Sequence, residues 1–480
     1  MLIRIVLSFF GPRYPQTIAY MLQATEYNIG SYMRWYWRTQ DFSTIMQRGD
    51  LDKTRRARLL LAGLRVGTLL QITVAVGLIV LGVTGNAKGG LVFGLALFLS
   101  YPIVWAHLIV LPLWLARYFI VAPKDAQNIA ASKSIFAHYP GVIIAVVGSY
   151  GKTSMKELLS TVLNEGKNVA ATPANNNVAT EHAAFAHQLT GNEDVLIIEY
   201  GEGKPGDVAR FTQTTHPTHA VITGLAPAHL DAYKTLDAAG KDIFSVADTV
   251  PHAHVYVNAE ALAVQSFLQP DFQVYSQQGI DGWKVDNVTV SLQGTSFRLQ
   301  KTKTTLSFQS GLLGKHHIGP LCVAAILGLE FGLSEQQVTA GIAKTMPFEH
   351  RMQPYQLSGA WIIDDTYNGN LEGIRAGAAL LRDLSAARKW YVTPGLVEQG
   401  AETARIHAEL GKLVAAAQPD IVVLMQNTVT KYIQAGLTEA DYAGEVRIEA
   451  NPLAFYTNLE QHVATGDLVL MQNDWTDNYA

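Results

Sequence analysis

Cysteine is almost absent: Cys322 stands alone in 480 residues. A disulfide framework and a multi-cysteine metal site are therefore both excluded. Its neighbours Leu321, Val323, Ala324 and Ala325 mark Cys322 as a packing residue, and such a chain suits a reducing compartment. Charge is also scarce, at 16% of residues against 49% hydrophobic, and the net value of −4 gives no reason to expect a nucleic-acid partner. Internal repeats and low-complexity tracts are missing as well. A positive mean hydropathy in a chain of this length directs attention to membrane segments first.

The basic residues are concentrated at one end. Residues 1–65 carry ten Lys and Arg, of which Lys53, Arg55, Arg56, Arg58 and Arg65 lie close together, against Glu26, Asp41, Asp50 and Asp52. Directly afterwards Val66 to Val83 runs without a charge, and Leu91 to Ala116 does so again beyond the polar break Thr84-Gly85-Asn86-Ala87-Lys88. Each run is long enough to cross a bilayer core of ~30 Å as a helix. The pair reads as a transmembrane hairpin, and its late start and second span speak against a signal peptide. Basic residues before the first span, and Arg117 and Lys124 after the second, place both ends in the cytoplasm. The alternative is a buried pair of core helices. Ahead of the hairpin, Tyr20, Tyr27, Tyr32, Trp35, Tyr36 and Trp37 suit either the headgroup level of a membrane or a helix packed on the catalytic body.

From about Ala122 the pattern becomes that of an α/β protein. Val142 to Val147 is a short apolar run flanked by glycine, as expected of a parallel strand buried on both faces. Val195–Ile198 and Ala220–Ile222 repeat it, with helical spacing between them, which predicts a doubly wound parallel sheet. The alternation from Phe272 to Ser310 predicts a small antiparallel sheet. Past Arg351 the runs at 361–363, 390–392, 421–424 and 468–470 predict a second, Rossmann-like unit. The expected boundaries are a membrane region over 1–121 with spans at about 66–83 and 91–116, a P-loop central domain over 122–349, and a C-terminal domain over 350–480.

The motif richest in chemistry is Gly148-Ser149-Tyr150-Gly151-Lys152-Thr153-Ser154, between a strand and a helix. Backbone N–H groups of such a loop face phosphate oxygens, and the helix N-terminus adds its positive dipole end. Lys152 is placed to reach the β- and γ-phosphates of ATP, and the Thr153 hydroxyl to ligate Mg²⁺. Only the short form of the motif is present, since Val146 occupies the first glycine position of the longer one.

The loop and the segments that follow it resemble the Mur ligases, which join an amino acid or peptide to a muropeptide. Thr172-Pro173 with Asn177, Glu199 with Gly201 and Gly206-Asp207, and Thr223 to Asp231 around His229 are similar to that family's successive signatures. Gly314-Lys315-His316 is similar to its next helix. His350-Arg351-Met352-Gln353-Pro354 and Asp364-Asp365-Thr366-Tyr367-Asn368-Gly369-Asn370 come close to its D-alanyl-D-alanine-adding branch. Residues 140–400 carry the resemblance well. Residues 1–120 do not resemble the UDP-binding domain with which the family usually begins.

The resemblance implies a carboxylate activated as an acyl phosphate and then captured by an amine. It implies that Glu199 and His229 hold a second Mg²⁺, and that a carbamylated lysine supports it, Lys241 being the first candidate and Lys234 the second. It implies that His316, Arg351 and Asp365 grip the nucleotide, and that Asn177, Tyr367, Asn368 and Asn370 lie near the acceptor and the incoming amine. The implied partners are a muropeptide precursor, nucleotide- or lipid-linked, an amino acid or dipeptide amine, and membrane lipid. Pro320 replaces the asparagine expected near adenine, and the Thr393–Gly400 and Val469–Asp474 segments depart from the family pattern, leaving the amine open. Two rivals remain: another Mur-type ligation or amidation of a lipid-linked precursor, and a silent membrane-bound nucleotide-binding scaffold.

Overall fold

A computed structural model of the chain describes residues 9–11, 13–25, 27–39, 51–174, 176–227, 230–367, 369–397 and 399–473. It divides into two compact units, Met1–Gln127 and Asn128–Ala480.

In the first unit, helix Arg55–Val83 starts where the Thr54 hydroxyl accepts from the Ala57 amide, eleven residues before the uncharged run begins. It packs antiparallel on helix Gly90–Leu108, which opens a helical run, Gly90–Ala137, that continues past Ala116, where the uncharged stretch of the sequence ends. Both helices are long and apolar enough to cross a membrane, with hydropathies of 2.3 and 1.9, and only 17% and 28% of their most apolar windows are buried. Small residues allow the helices to meet closely: a Cβ on Gly82 would lie 2.1 Å from the Leu91 amide nitrogen. Gln71 bridges them by donating to the Leu97 carbonyl at 2.9 Å. The aromatic segment ahead packs on this hairpin. The hydroxyls of Tyr14 and Tyr32 donate to the Pro102 and Ala106 carbonyls, and Tyr32 and Tyr36 are buried, whereas Trp37 is exposed.

The second unit is built on two sheets among the described residues. In the first, strands run in the order β2 (Val169–Ala171), β3 (Val195–Glu199), β1 (Val142–Val147), β4 (His219–Ile222), β5 (Val255–Asn258) and β6 (Gln273–Ser276), all parallel. β1 is buried on both faces. Ile144 and Val146 meet Met155, Leu158 and Val162 of helix Lys152–Leu163, while Ile143, Ala145 and Val147 share a second core with Tyr200 and Phe211. That two-sided burial explains an apolar run without alternation.

β7 (Gly279–Ile280), β8 (Trp283–Ser291), β9 (Gly294–Lys301) and β10 (Thr304–Ser310) continue the same sheet in antiparallel sense beyond β6. The separate antiparallel sheet expected from the sequence is thus an extension of the parallel one, joined where β6 pairs with β5. The second sheet has the order β11 (Gln353–Leu357), β12 (Ala360–Asp365), β16 (Asp467–Gln472), β13 (Arg388–Thr393), β14 (Ile421–Met425) and β15 (Glu445–Glu449), parallel except for β11. β11 and β15 escape the sequence reading because each is at an edge and only partly buried.

Candidate active site

The chain leaves β1 towards β2 on one side of the sheet and leaves its neighbour β4 towards β5 on the other, and the loop after β1 opens into the crevice between them. Gly151 (φ +73°) caps helix Lys152–Leu163, a conformation that other residues resist. The loop is held by the end of β4. The Ser149 amide donates to the Gly224 carbonyl at 3.0 Å, the Thr223 hydroxyl bonds Val147 at 3.1 Å and also the Tyr150 carbonyl, and the Tyr150 ring lies so near Gly224 that a Cβ there would sit 2.3 Å from it.

Four predicted residues converge on the end of β3. Glu199 is 1% exposed, and its Oε1 accepts from the Thr153 hydroxyl and from Nδ2 of Asn177, each at 3.2 Å. Lys152 lies beside them, donating to the Gly148 carbonyl at 2.5 Å and to Glu202 Oε2 at 2.7 Å. Two further members were not anticipated. Glu202 is 4% exposed, and Lys156, wholly buried, places Nζ 3.4 Å from Glu199 Oε2 while donating to the carbonyls of Thr172 and Ala174. The available signals were position: Glu202 follows the strand-end Glu199 by three residues, and Lys156 follows Lys152 by one helical turn. Behind them His182 bonds the Glu199 backbone, and burial lowers its pKa to about 4, so it brings no second cation to the cluster.

The donor set fits a hard divalent cation. The Thr153 hydroxyl and Glu199 carboxylate are adjacent oxygen ligands, and buried Oε2 of Glu199 makes no hydrogen bond, its nearest cationic neighbour being the Lys156 ammonium at 3.4 Å. Glu199 and Thr153 are therefore the side chains that would hold Mg²⁺.

The P-loop forms one wall of a cavity of about 560 Å³ through Tyr150, Gly151 and Ser154. The same cavity is lined by His316, Arg351, Asp365, Tyr367 and Asn370, from the segments expected to grip nucleotide and substrate. Arg351 stacks on Tyr367 with its guanidinium carbon 4.4 Å from the ring centre. Asp365 ends β12; burial pushes its pKa up to about 7, while donors from Gln472 (2.7 Å) and the Met352 amide (3.2 Å) work in the opposite direction. Tyr391 in turn donates to Oε1 of Gln472 at 3.0 Å, fixing the amide that holds Asp365. His316 sits half-buried against His317, and loss of water lowers its pKa to about 4. Asn370 caps helix Leu371–Asp383 through the Gly373 amide at 2.9 Å as well as lining the cavity. Pro320 lines it too, along with Asn258 and Gln277, two amides that the sequence reading did not select.

Lys241 is not part of this assembly. Its ammonium pairs with Asp237 at 2.8 Å, and the two side chains are 72% and 65% exposed. Gly240 and Asp242 on either side are buried, so the lysine is on the outer face of helix Leu236–Phe244. The interval after His229 is two residues shorter than the family's, and two residues turn a helical side chain by about 200°. Lys234, the second candidate, is exposed as well. His229 and Asn368 lie outside the described residues.

By fold and cleft the second unit is a two-domain α/β protein built around a short P-loop. Its sequence matches the Mur ligase middle domain over residues 146–328 and the Mur ligase glutamate ligase domain over 350–472, and the chain belongs to the Mur ligase family. It is 27% identical over 291 residues to the UDP-N-acetylmuramoyl-tripeptide–D-alanyl-D-alanine ligase of Escherichia coli, covering 59% of this chain and 64% of that protein. The enzyme of the same name from Mycobacterium leprae is 26% identical over 363 residues, covering 69% and 70%. The chain thus spans just under two thirds of the E. coli relative. The fold is shared with crystal structures of MurF from Acinetobacter baumannii (TM-score 0.64, 18% identity, 73% of this chain and 77% of that one) and from Thermotoga maritima in complex with ADP (0.63, 18%, 73% and 80%).

Proposed function

We propose that this chain is an ATP-dependent, ADP-forming ligase of peptidoglycan precursor synthesis that joins D-alanyl-D-alanine to a muropeptide carboxylate. One observation carries the reading: a single cavity is lined both by Tyr150, Gly151 and Ser154 of the P-loop and by Arg351, Asp365 and Tyr367. In this reading a carboxylate oxygen of the acceptor attacks the γ-phosphorus, and the bond to the bridging oxygen breaks to release ADP. The amine then attacks the acyl carbon, and phosphate leaves with the acceptor's oxygen. Lys152 neutralises charge on the transferring phosphoryl oxygens, and the P-loop amides orient the phosphates. Thr153 and Glu199 would hold Mg²⁺, which would supply further charge neutralisation there. Arg351 and Asp365 hold the nucleotide from the C-terminal side, and Asn177, Tyr367 and Asn370 border the acceptor and the amine. The relatives named for this reaction support the choice of amine. Purified protein with ATP and a panel of muropeptides and amines tests it: the D-alanyl-D-alanine adduct is expected, and turnover only with another amine overturns the assignment.

The hairpin favours a second element of the reading, in which residues 1–127 anchor the enzyme to the cytoplasmic face of a membrane and bring it to a lipid-linked acceptor. The support is the outward-facing apolar surface of the two helices, including Leu69, Val76, Val80, Phe93 and Leu99. Membrane fractions washed at alkaline pH should retain the protein, and its release without detergent would remove the anchor. A comparison of lipid-linked with nucleotide-linked acceptor decides between the two substrates.

A further inference from the structure

At the opposite end of the parallel sheet from the cleft, two histidines and a glutamate meet. His219 opens β4, His254 immediately precedes β5, and Ala220 is in register with Val255, so the imidazoles stand side by side on neighbouring strands. Their rings stack 4.4 Å apart and 4° from parallel. Glu330, the last residue of helix Ile318–Glu330, places Oε1 3.3 Å from Nε2 of His219. One ligand atom from each of the three residues lies within 4.8 Å of the other two.

The surroundings fix which atoms are free. The Thr218 carbonyl can only accept, so Nδ1 of His254, 3.3 Å away, carries the hydrogen. The Thr218 hydroxyl donates to the Ile143 carbonyl and accepts from the Ile143 amide, each at 3.1 Å, so at 3.0 Å it accepts from Nδ1–H of His219. In the neutral rings both Nε2 atoms are then left as lone-pair donors. Tyr256 donates to Oε2 of Glu330 at 2.7 Å and turns Oε1 towards the histidines. At 3.3 Å, Nε2 of His219 and Oε1 of Glu330 share either a proton or a cation, and a bound metal ion takes the place of that proton. Histidines whose second nitrogen is tied to the main chain or a hydroxyl, and a carboxylate oriented by a phenol, form the outer shell that metal ligands commonly possess.

We propose that His219, His254 and Glu330 bind one divalent transition-metal ion of the zinc class. Two imidazoles and a carboxylate suit Zn²⁺ or Co²⁺, whereas Mg²⁺ prefers an all-oxygen shell with waters. Binding draws the three ligand atoms together by small rotations, since Zn²⁺ sits ~2.0–2.2 Å from nitrogen and oxygen ligands. Rotation is open to half-buried His254 and exposed Glu330, and the same exposure leaves the fourth position to water. The ion would tie β4, β5 and the end of a helix whose other end enters the cleft at Pro320, ~15 Å away at 1.5 Å per residue. Its role is to brace the sheet at a distance from catalysis.

The test uses the full chain in detergent, stripped with chelator and titrated with Co²⁺ and then Zn²⁺ in excess Mg²⁺. One Co²⁺ per chain with a tetrahedral visible absorption band is expected, displaced by Zn²⁺, together with a Zn²⁺-dependent rise in melting temperature. His254→Ala and Glu330→Gln should each weaken binding about tenfold or more and remove the rise; Glu330→Gln preserves volume if His254→Ala folds poorly. Glu199→Gln, at the other end of the sheet, should keep the band. Absence of the band, its survival in both His254→Ala and Glu330→Gln, or its loss in Glu199→Gln would each overturn the proposal.

Discussion

Glu202 and Lys152 form a buried ion pair, 2.7 Å between Oε2 and Nζ, with side chains 3% and 13% exposed. The lysine assigned to the phosphates of ATP thus already has an anionic partner. In the proposed mechanism the triphosphate takes over that partnership, and Glu202 competes with it. Removing the carboxylate without changing its shape should therefore favour nucleotide. Glu202→Gln is expected to tighten Mg²⁺-free ADP binding by about tenfold, the scale of one charge-assisted hydrogen bond. Calorimetric titration measures it; weaker binding would mean that Glu202 helps to hold the nucleotide.

Lys152→Ala tests the other half of the pair and should have two separable consequences. Turnover should fall by about 10²-fold or more, since an electrostatic stabiliser of the transferring phosphoryl group is gone. Stability should fall by on the order of 3 kcal/mol, because Glu202 is left buried without its counterion. Adding Glu202→Gln to Lys152→Ala should restore most of the stability and none of the turnover. Recovery of both, or of neither, would contradict the assignment.

Asp365 gives a pH signature. Burial raises its pKa to about 7 in the folded protein, above the value near 4 of an exposed aspartate. The folded state therefore holds this proton more tightly than the unfolded state. The associated stabilisation is complete below about pH 4 and is lost as pH rises through 7. Denaturant melts of nucleotide-free protein should show Asp365→Asn gaining on the wild type from pH 5 to about pH 7 and levelling off above it. Parallel curves would show that Gln472 and the Met352 amide already satisfy the ionised carboxylate.

How legible the site was depended on how local its causes are. Thr153, Asn177 and Glu199 are fixed by a strand end, a loop and a helix start, features that short motifs encode, and the structure brings them together. Glu202 was overlooked because its meaning comes from Lys152, fifty residues earlier, which the motif reserves for phosphate. Gln472 was noted only as a departure from a family pattern, yet it holds Asp365 from a neighbouring parallel strand. In the fold, the both-faces-buried strands β1, β3 and β4 were evident as apolar runs, whereas the pairing of β6 with β5 depends on register that no single segment carries.

Lys241 stands on the exposed face of its helix, and that position has its own consequence. Lys241→Ala should retain turnover within a few-fold of wild type, and added bicarbonate should change neither protein. An ion pair so exposed contributes little, so the melting temperature should barely move. Loss of activity restored by short carboxylic acids would reinstate the carbamate.

The acyl-phosphate route is tested most directly by following oxygen. The acceptor muropeptide is labelled with ¹⁸O in the reacting carboxylate and turned over with unlabelled ATP and D-alanyl-D-alanine, and the products are analysed by mass spectrometry. The account predicts ADP and inorganic phosphate, with one ¹⁸O transferred from each acceptor into the phosphate. Label recovered in AMP, with pyrophosphate as the second product, would contradict it.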